Sequence, residues 1–232
     1  MGKHRLRAGG YTLNFLTGCS GKPAENKHRM ISELSNFAAR LRGLILQTPS
    51  SLDDRQFGEP ALELFALQFA HNAPYRRICE ARGLSPKTIE HWTQIPTVPT
   101  GAFKQLELSS IPASERTAVF HSSGTTEQRP SRHFHNSESI QLYETSLWRA
   151  FERQALADLR FTIYDLRVLT PAPHHTPHSS LVHMFEIIRR KLGASESVFL
   201  GDIGHDGVWT LDFKRTLAAL NSKPETRNPK LI

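Results

Sequence analysis

The stretch from His121 to Arg132 constrains the fold of this chain more than any other segment. It follows a β-branched and aromatic run, 117–121, which predicts a short strand. After it, apolar residues recur at helical spacing behind the capping residue Asn136, which predicts a helix over 137–157. The expected order is therefore strand, hydroxyl-rich loop and helix.

The composition of this loop is that of a phosphate site. Gly124 lets the backbone approach a ligand closely, and successive amides of such a loop can form a nest for an anion. Arg129 and Arg132 add positive charge, and the hydroxyl donors are Ser122, Ser123, Thr125 and Thr126. The alternative is a solvated turn, because Ser, Thr and Gly are common turn formers. A Walker loop is excluded, since no Gly-Lys-Ser/Thr follows at the required distance.

Three segments in this order resemble the adenylate-forming ligase superfamily, which activates carboxylic acids with ATP. Within it they are most similar to the acyl-protein synthetase family, the fatty-acid-activating component of bacterial luminescence systems and its relatives. The segments that carry the resemblance are Ser122 to Thr126 with Ser131, Ile95 to Leu108 with its Phe103 and Lys104, and Leu169 to Met184. One departure is Glu127, which stands where a Gly is common in the superfamily.

The resemblance implies a fold and a function. The fold is α/β: a truncated N-terminal part of an adenylate-forming ligase fold, with an N-terminal helical segment and an incomplete sheet flanked by helices. The function is ATP-dependent activation of a fatty, long-chain carboxylic acid to an acyl-adenylate for transfer to a protein thiol, with ATP and Mg²⁺ as cofactors. Family members are longer, so this chain is expected to lack the C-terminal catalytic parts and to be impaired in turnover.

Two other functions stay open at this stage. One is a non-catalytic nucleotide-binding or partner-binding remnant, and the other is a coenzyme A ligase of the phenylacetate type, which shares the loop. Under the leading hypothesis the partners are a fatty acid and an acyl-reductase or acyl-carrier protein.

The resemblance assigns residues to ATP binding and none to catalysis. The assigned residues are Ser122, Ser123, Gly124, Thr125, Thr126, Ser131 and Arg132, with Lys104 as a secondary candidate. Pro96 and Pro99 keep their predecessors extended, so this arm is expected to deliver Phe103 and Lys104 to a fixed place. A lysine on a surface loop is the alternative.

The pattern predicts one domain over 30–220, after an extension at 1–29 and before a tail at 221–232. The first 29 residues are basic and Gly-rich without periodicity and lack the features of a signal peptide, so they are expected to be disordered. The further predicted elements are helices over 31–47, 59–81 with a break near Asn72, 85–92, 180–192 and 212–220, and strands over 166–170 and 197–200.

Composition limits the partners and the compartment. The net charge of +7 favours anions, but the basic residues are spread out without interleaved aromatic residues, which argues against nucleic acid. There is no apolar run of membrane-spanning length. Two cysteines make no disulfide framework, so a cytoplasmic protein is expected, with Cys79 interpreted as a small buried hydrophobe.

The irregular run 171–178 is expected to form a second wall of the site, since loops at strand ends collect ligands in α/β folds. Its histidines raise a zinc hypothesis. The candidate ligands are His174, His175, His178 and His183, and no Cys or acidic residue accompanies them. Polar surface histidines are the preferred interpretation, and no metal site is assigned.

Overall fold

A computed structural model describes residues 23–47, 52–122, 130–156, 166–195 and 198–221. Over these ranges the protein is mixed α/β, mostly helical with two small antiparallel sheets. The predicted α/β class is confirmed at this level. The single incomplete sheet that was expected is instead two separate strand pairs. Within the described ranges, every helix is too short or too polar to cross a membrane.

Helix α1 spans Pro23–Gln47 and starts earlier than predicted. Residues 23–29, which were assigned to a disordered extension, are helical. Proline is favoured in a first turn because its φ is already helical and it has no amide hydrogen to leave unpaired. The rest of the predicted extension, residues 1–22, lies outside the described residues, as does most of the predicted tail.

Helix α2 spans Asp54–His71 and also begins before its predicted start. The Asp53 carboxylate accepts a hydrogen bond from the Gln56 amide at 2.7 Å, and the Gln56 side chain accepts one from the Asp53 amide at 3.1 Å. This reciprocal capping box fixes the first turn. Pro60, predicted to lie in the first turn, is therefore inside the helix, where it removes one backbone hydrogen bond.

The predicted break near Asn72 is confirmed. Asn72 ends α2 and caps helix α3, Ala73–Glu80, by accepting a hydrogen bond from the Tyr75 amide at 3.2 Å. One hydrophobic cluster forms around this junction, with Phe65, Tyr75, Cys79 and Ile89 at its centre. Cys79 is fully buried there, in agreement with its interpretation as a core residue.

The segment after α3 differs from the prediction at both ends. Its start has less helix than predicted, and its end has one helical turn that was not predicted. The helix predicted over 85–92 is a turn followed by a short 3-10 helix, Trp92–Gln94. The Pro-punctuated arm then ends in a single helical turn, α4, Ala102–Gln105, which carries Phe103 and Lys104. A second 3-10 turn, Ala113–Glu115, precedes the first sheet.

Strands β1, Ala118–His121, and β2, Arg132–His135, form the first sheet. They are antiparallel, and their register pairs Ala118 with His135 and His121 with Arg132. Strand β2 was not predicted, so the expected strand, loop and helix become strand, loop, strand and helix. Helix α5, Ser137–Phe151, follows directly, capped by Asn136, and continues as a π-helical segment, Glu152–Leu156.

Helix α5 docks on α1 across a long sequence separation. The Ser35 hydroxyl donates to the Glu138 carboxylate at 2.7 Å, and Arg42 donates to the Gln141 side-chain oxygen at 2.5 Å. The N-terminal helix is therefore held by a helix about a hundred residues further along the chain.

The C-terminal part of the chain contains helix α6, Ser180–Lys191. Its predicted cap, Ser179, is confirmed, and so is the predicted stop at Gly193, which has a φ of +66°. The strands predicted over 166–170 and 197–200 are reduced to one parallel bridge between Val168 and Phe199. Both residues are buried in a second hydrophobic cluster with Val182. The second sheet and the last helix follow: β3, Gly201–Ile203, β4, Trp209–Leu211, and α7, Phe213–Asn221.

Gly201 lies so close to the neighbouring chain that a side chain does not fit. A Cβ atom there would lie 2.4 Å from the Thr170 carbonyl carbon and 2.7 Å from the Pro171 nitrogen. Gly201→Ala is therefore expected to lower the free energy of unfolding by about 2 kcal/mol, measured by urea unfolding. Gly101→Ala is the matched control, because nothing lies within 4 Å of a Cβ there. Equal stability of the two variants would contradict the close approach.

Candidate functional site

The two ends of the candidate phosphate loop are described, and its tip is not. Ser123, Gly124, Thr125 and Thr126 lie outside the described residues. The members of the predicted set that the structure places are Ser122, Ser131, Arg132 and Lys104. The site is therefore built from the base of the loop and from the elements packed against that base.

Two hydrogen bonds hold the loop ends together. The Ser122 amide donates to the Ser131 carbonyl oxygen at 3.2 Å, and the Ser131 amide donates to the Ser122 hydroxyl oxygen at 3.1 Å. Ser131 is buried, and its hydroxyl lies 3.0 Å from Nε2 of His133. Ser122 and Ser131 thus form the base of the loop, and their pairing extends the β1–β2 ladder by one residue pair.

The pleat of the strand pair divides the nearby side chains between two faces, because successive residues of a strand point to opposite sides. His121 and Arg132 are cross-strand partners and share one face. Phe134 lies on that face too, since the Arg132 guanidinium carbon is 5.5 Å from its ring centroid. Ser131 and His133 belong to the opposite face.

The upstream segment packs on the second of these faces. The rings of Phe103 and His133 lie 5.0 Å apart, so the helical turn that carries Lys104 contacts β2. The proline-stiffened arm therefore ends at the base of the loop. In the same segment, the Glu107 carboxylate accepts a hydrogen bond from Arg116 at 2.7 Å, and this bond lowers the pKa of Glu107.

The downstream segment binds the free edge of β1. The His121 amide donates to the His178 carbonyl oxygen at 2.9 Å, and His178 Nδ1 lies 3.1 Å from the Val119 carbonyl oxygen. Because a carbonyl oxygen only accepts, Nδ1 of His178 carries the proton. The rings of His121 and His178 are stacked at 4.8 Å. The run 171–178 thus lies beside the base of the loop.

Basic groups crowd this base. Burial lowers the pKa of His121 below its ordinary value, and the nearby His178, Arg132 and His133 lower it further. An anion bound here would relieve this repulsion and would favour the protonated imidazole. The arrangement is chemically suited to binding an anion.

Sequence reasoning missed the imidazoles of His121 and His133 as site residues. It treated His121 as a strand end and saw no second strand at His133. The alternation in Arg132, His133, Phe134 and His135 was the available signal, since every second side chain falls on one face.

The histidines of the zinc hypothesis do not come together in the structure. Among the described residues, no three His, Cys, Asp or Glu side chains are arranged to hold a metal ion. His183 lies 2.9 Å from the Glu144 carboxylate, whereas His178 bonds the backbone of β1. His174 and His175 contact each other instead, with ring centroids 4.0 Å apart.

No protein-family model matches the chain, and no curated protein or solved structure does either. The resemblance to acyl-protein synthetases therefore stays a prediction that rests on the three segments.

Two partly buried imidazoles predict how stability depends on pH. Burial is the main cause that lowers the pKa of both His121 and His135 in the folded protein. The unfolded chain then binds more protons, so the free energy of unfolding is expected to fall as the pH drops below about 6.5. Denaturant unfolding between pH 8 and pH 5 measures this fall.

In the variant His121→Asn, the free energy of unfolding should fall less between pH 8 and pH 5 than in the natural chain. Stability at pH 8 is the reference value for each protein. Stability that rises between pH 7.5 and pH 5.5 would contradict the environment described for these histidines.

Proposed function

We propose that the chain binds the triphosphate of ATP at the loop 122–131 and activates a fatty carboxylic acid. A carboxylate oxygen attacks the α-phosphorus, the bond from that phosphorus to the bridging oxygen breaks, and acyl-adenylate and pyrophosphate form. A protein thiol then attacks the acyl carbonyl carbon, loses its proton and releases AMP. This is the reaction that the sequence resemblance implies.

One observation carries the proposal. Of the three segments that bear the resemblance, one is the loop that joins β1 to β2, and the upstream and downstream segments both contact this strand pair. Phe103 of the upstream segment packs on His133, and His178 of the downstream segment bonds β1 on its free edge. The loop between them closes on the same strands through Ser122 and Ser131. Such convergence is what a shared ligand site requires.

The charges at the loop base suit a polyanion. Arg132 offers a guanidinium, which pairs well with phosphate oxygens, and His121 and His178 add imidazole groups beside it. The Mg²⁺ that the resemblance implies would be held at the phosphates of the nucleotide. When bound, this ion supplies charge neutralisation at the phosphates.

The residues act mainly by position and charge. In this proposal Arg132 neutralises charge that develops on the leaving pyrophosphate. A bound anion is expected to favour protonation of His121, whose pKa is lowered in the free protein chiefly by burial. The contact of Phe103 with His133 holds the turn that carries Lys104 against β2.

Removal of a cation from the loop base is expected to weaken nucleotide binding. Arg132→Gln should reduce the affinity for ATP with Mg²⁺ about tenfold, the loss of one charge-assisted contact. Calorimetry on the full chain measures it. Arg77→Gln is the matched control, because Arg77 is exposed on α3 and, among the described residues, donates a hydrogen bond to the Ala73 carbonyl oxygen of its own helix. Equal losses in both variants would indicate a general charge effect and contradict the site.

Isotope exchange between pyrophosphate and ATP in the presence of myristate tests the chemistry. Weak exchange that depends on myristate and falls further in Arg132→Gln is the expected result, because turnover is expected to be impaired. ATP binding without exchange would support the non-catalytic nucleotide-binding alternative. Absence of ATP binding would refute the proposal altogether.

A further inference from the structure

The arginine at the base of the loop is a cation without a counterion. Arg132 is exposed, and over the described part of the chain its guanidinium has no hydrogen-bond or ion-pair partner. Its guanidinium carbon lies 5.5 Å from the centroid of the Phe134 ring, on the face that it shares with His121. An aromatic ring attracts a cation without neutralising its charge. The charge of Arg132 is therefore available to a ligand.

A second guanidinium approaches the same ring. The guanidinium carbon of Arg116 lies 4.1 Å from the Phe134 centroid. The guanidinium carbons of Arg116 and Arg132 are thus no further apart than the sum of their two distances to this centroid. Two like charges at such a separation repel each other unless one of them is paired. A carboxylate that enters this space therefore has two cations within reach.

The carboxylate of Glu107 pairs with Arg116. Arg116 donates to Glu107 through Nη2 at 2.7 Å and to the Ile111 carbonyl oxygen through Nε at 3.0 Å. The Arg116 side chain is only 15% exposed, so these bonds fix it in one place. The hydrogen bond from Arg116 lowers the pKa of Glu107, which is therefore ionised at neutral pH. The pair carries no net charge, and Arg132 stays the unpaired cation.

Glu107 is close enough to Arg132 to pair with it instead. The Glu107 side chain is 49% exposed, so solvent leaves it room to turn. After the bond from Arg116 and the opposing effect of burial, the charges of Arg116 and Arg132 also lower the pKa of Glu107. Carboxylate and guanidinium groups form strong, often bidentate pairs. A Glu107 released from Arg116 would compete with an anionic ligand for Arg132.

From this arrangement we infer that Arg116 is a positioning residue of the anion site, which holds Glu107 away from Arg132 and so leaves Arg132 available to an anionic ligand. The inference rests on the anion site of the proposed function and adds a role for Arg116 and Glu107. Without Arg116, the Glu107 carboxylate turns to Arg132 and cancels its charge. A ligand must then displace this carboxylate before it binds.

Calorimetric titration of the full chain with inorganic tripolyphosphate tests the inference. Arg116→Met should weaken binding about tenfold, as expected for the loss of the Arg132 charge. Adding Glu107→Gln to Arg116→Met should restore the affinity to within about threefold of that of the natural chain, because the competing carboxylate is gone. If Arg116 only supported the fold, removal of its partner as well would not restore binding.

The matched control uses another ion pair, that of Arg40 and Glu63 between α1 and α2. Arg40→Met alone and with Glu63→Gln makes the same changes in charge and should leave the affinity as it is in the natural chain. Arg116→Gln serves if Arg116→Met fails to fold, since its amide can still donate to the Ile111 carbonyl oxygen. The inference is overturned if the Arg116 variant binds like the natural chain or if Glu107→Gln does not restore its binding.

A second measurement separates this inference from the proposed function. If the natural chain binds neither ATP nor tripolyphosphate, the proposed function fails, and unfolding alone decides the role of Arg116. A double-mutant cycle of Glu107→Gln and Arg132→Gln gives the coupling of these two residues in the free energy of unfolding. The coupling should be larger in the Arg116→Met chain than in the natural chain. Equal coupling in the two chains would overturn the inference.

Discussion

The pairing of β1 with β2 is the interaction on which the candidate site depends. Four residue pairs in antiparallel register place His121 opposite Arg132 and bring the ends of the loop together. The two faces of this small sheet then receive different neighbours, Phe103 on one and Arg132 with Phe134 on the other. His178 occupies the free edge of β1. Without this register, Phe103, His178 and the ends of the loop would lose the strand pair that all of them contact.

The sequence predicted best those features that local chemistry decides. Helix α6 begins after Ser179 and ends before Gly193, because a hydroxyl cap and a residue with positive φ are local signals. The break at Asn72 is of the same kind, since one side chain ends one helix and caps the next. The early start of α2 had an available signal in Asp53 and Gln56, which was overlooked.

The features that the sequence did not predict depend on contacts between distant residues. Strand β2 is short and polar, and it exists because β1 offers backbone partners. The strand predicted around Val168 is reduced to one bridge for the converse reason, since Phe199 is its one bridge partner among the described residues. At the site, the pKa of His121 is lowered by burial and by the nearby His178 and His133. No spacing rule indicates these folded positions.

The docking of α1 on α5 has a consequence for synthesis of the protein. Ser35 and its partner Glu138 are 103 residues apart, so the N-terminal helix leaves the ribosome long before the helix that holds it. At about 5–20 residues per second, translation of that interval takes on the order of 5–20 s. During this time the apolar side of α1, including Phe37 and Leu41, lacks its final cover from α5. The apolar side of α1 is therefore open to non-native contacts until α5 has been made.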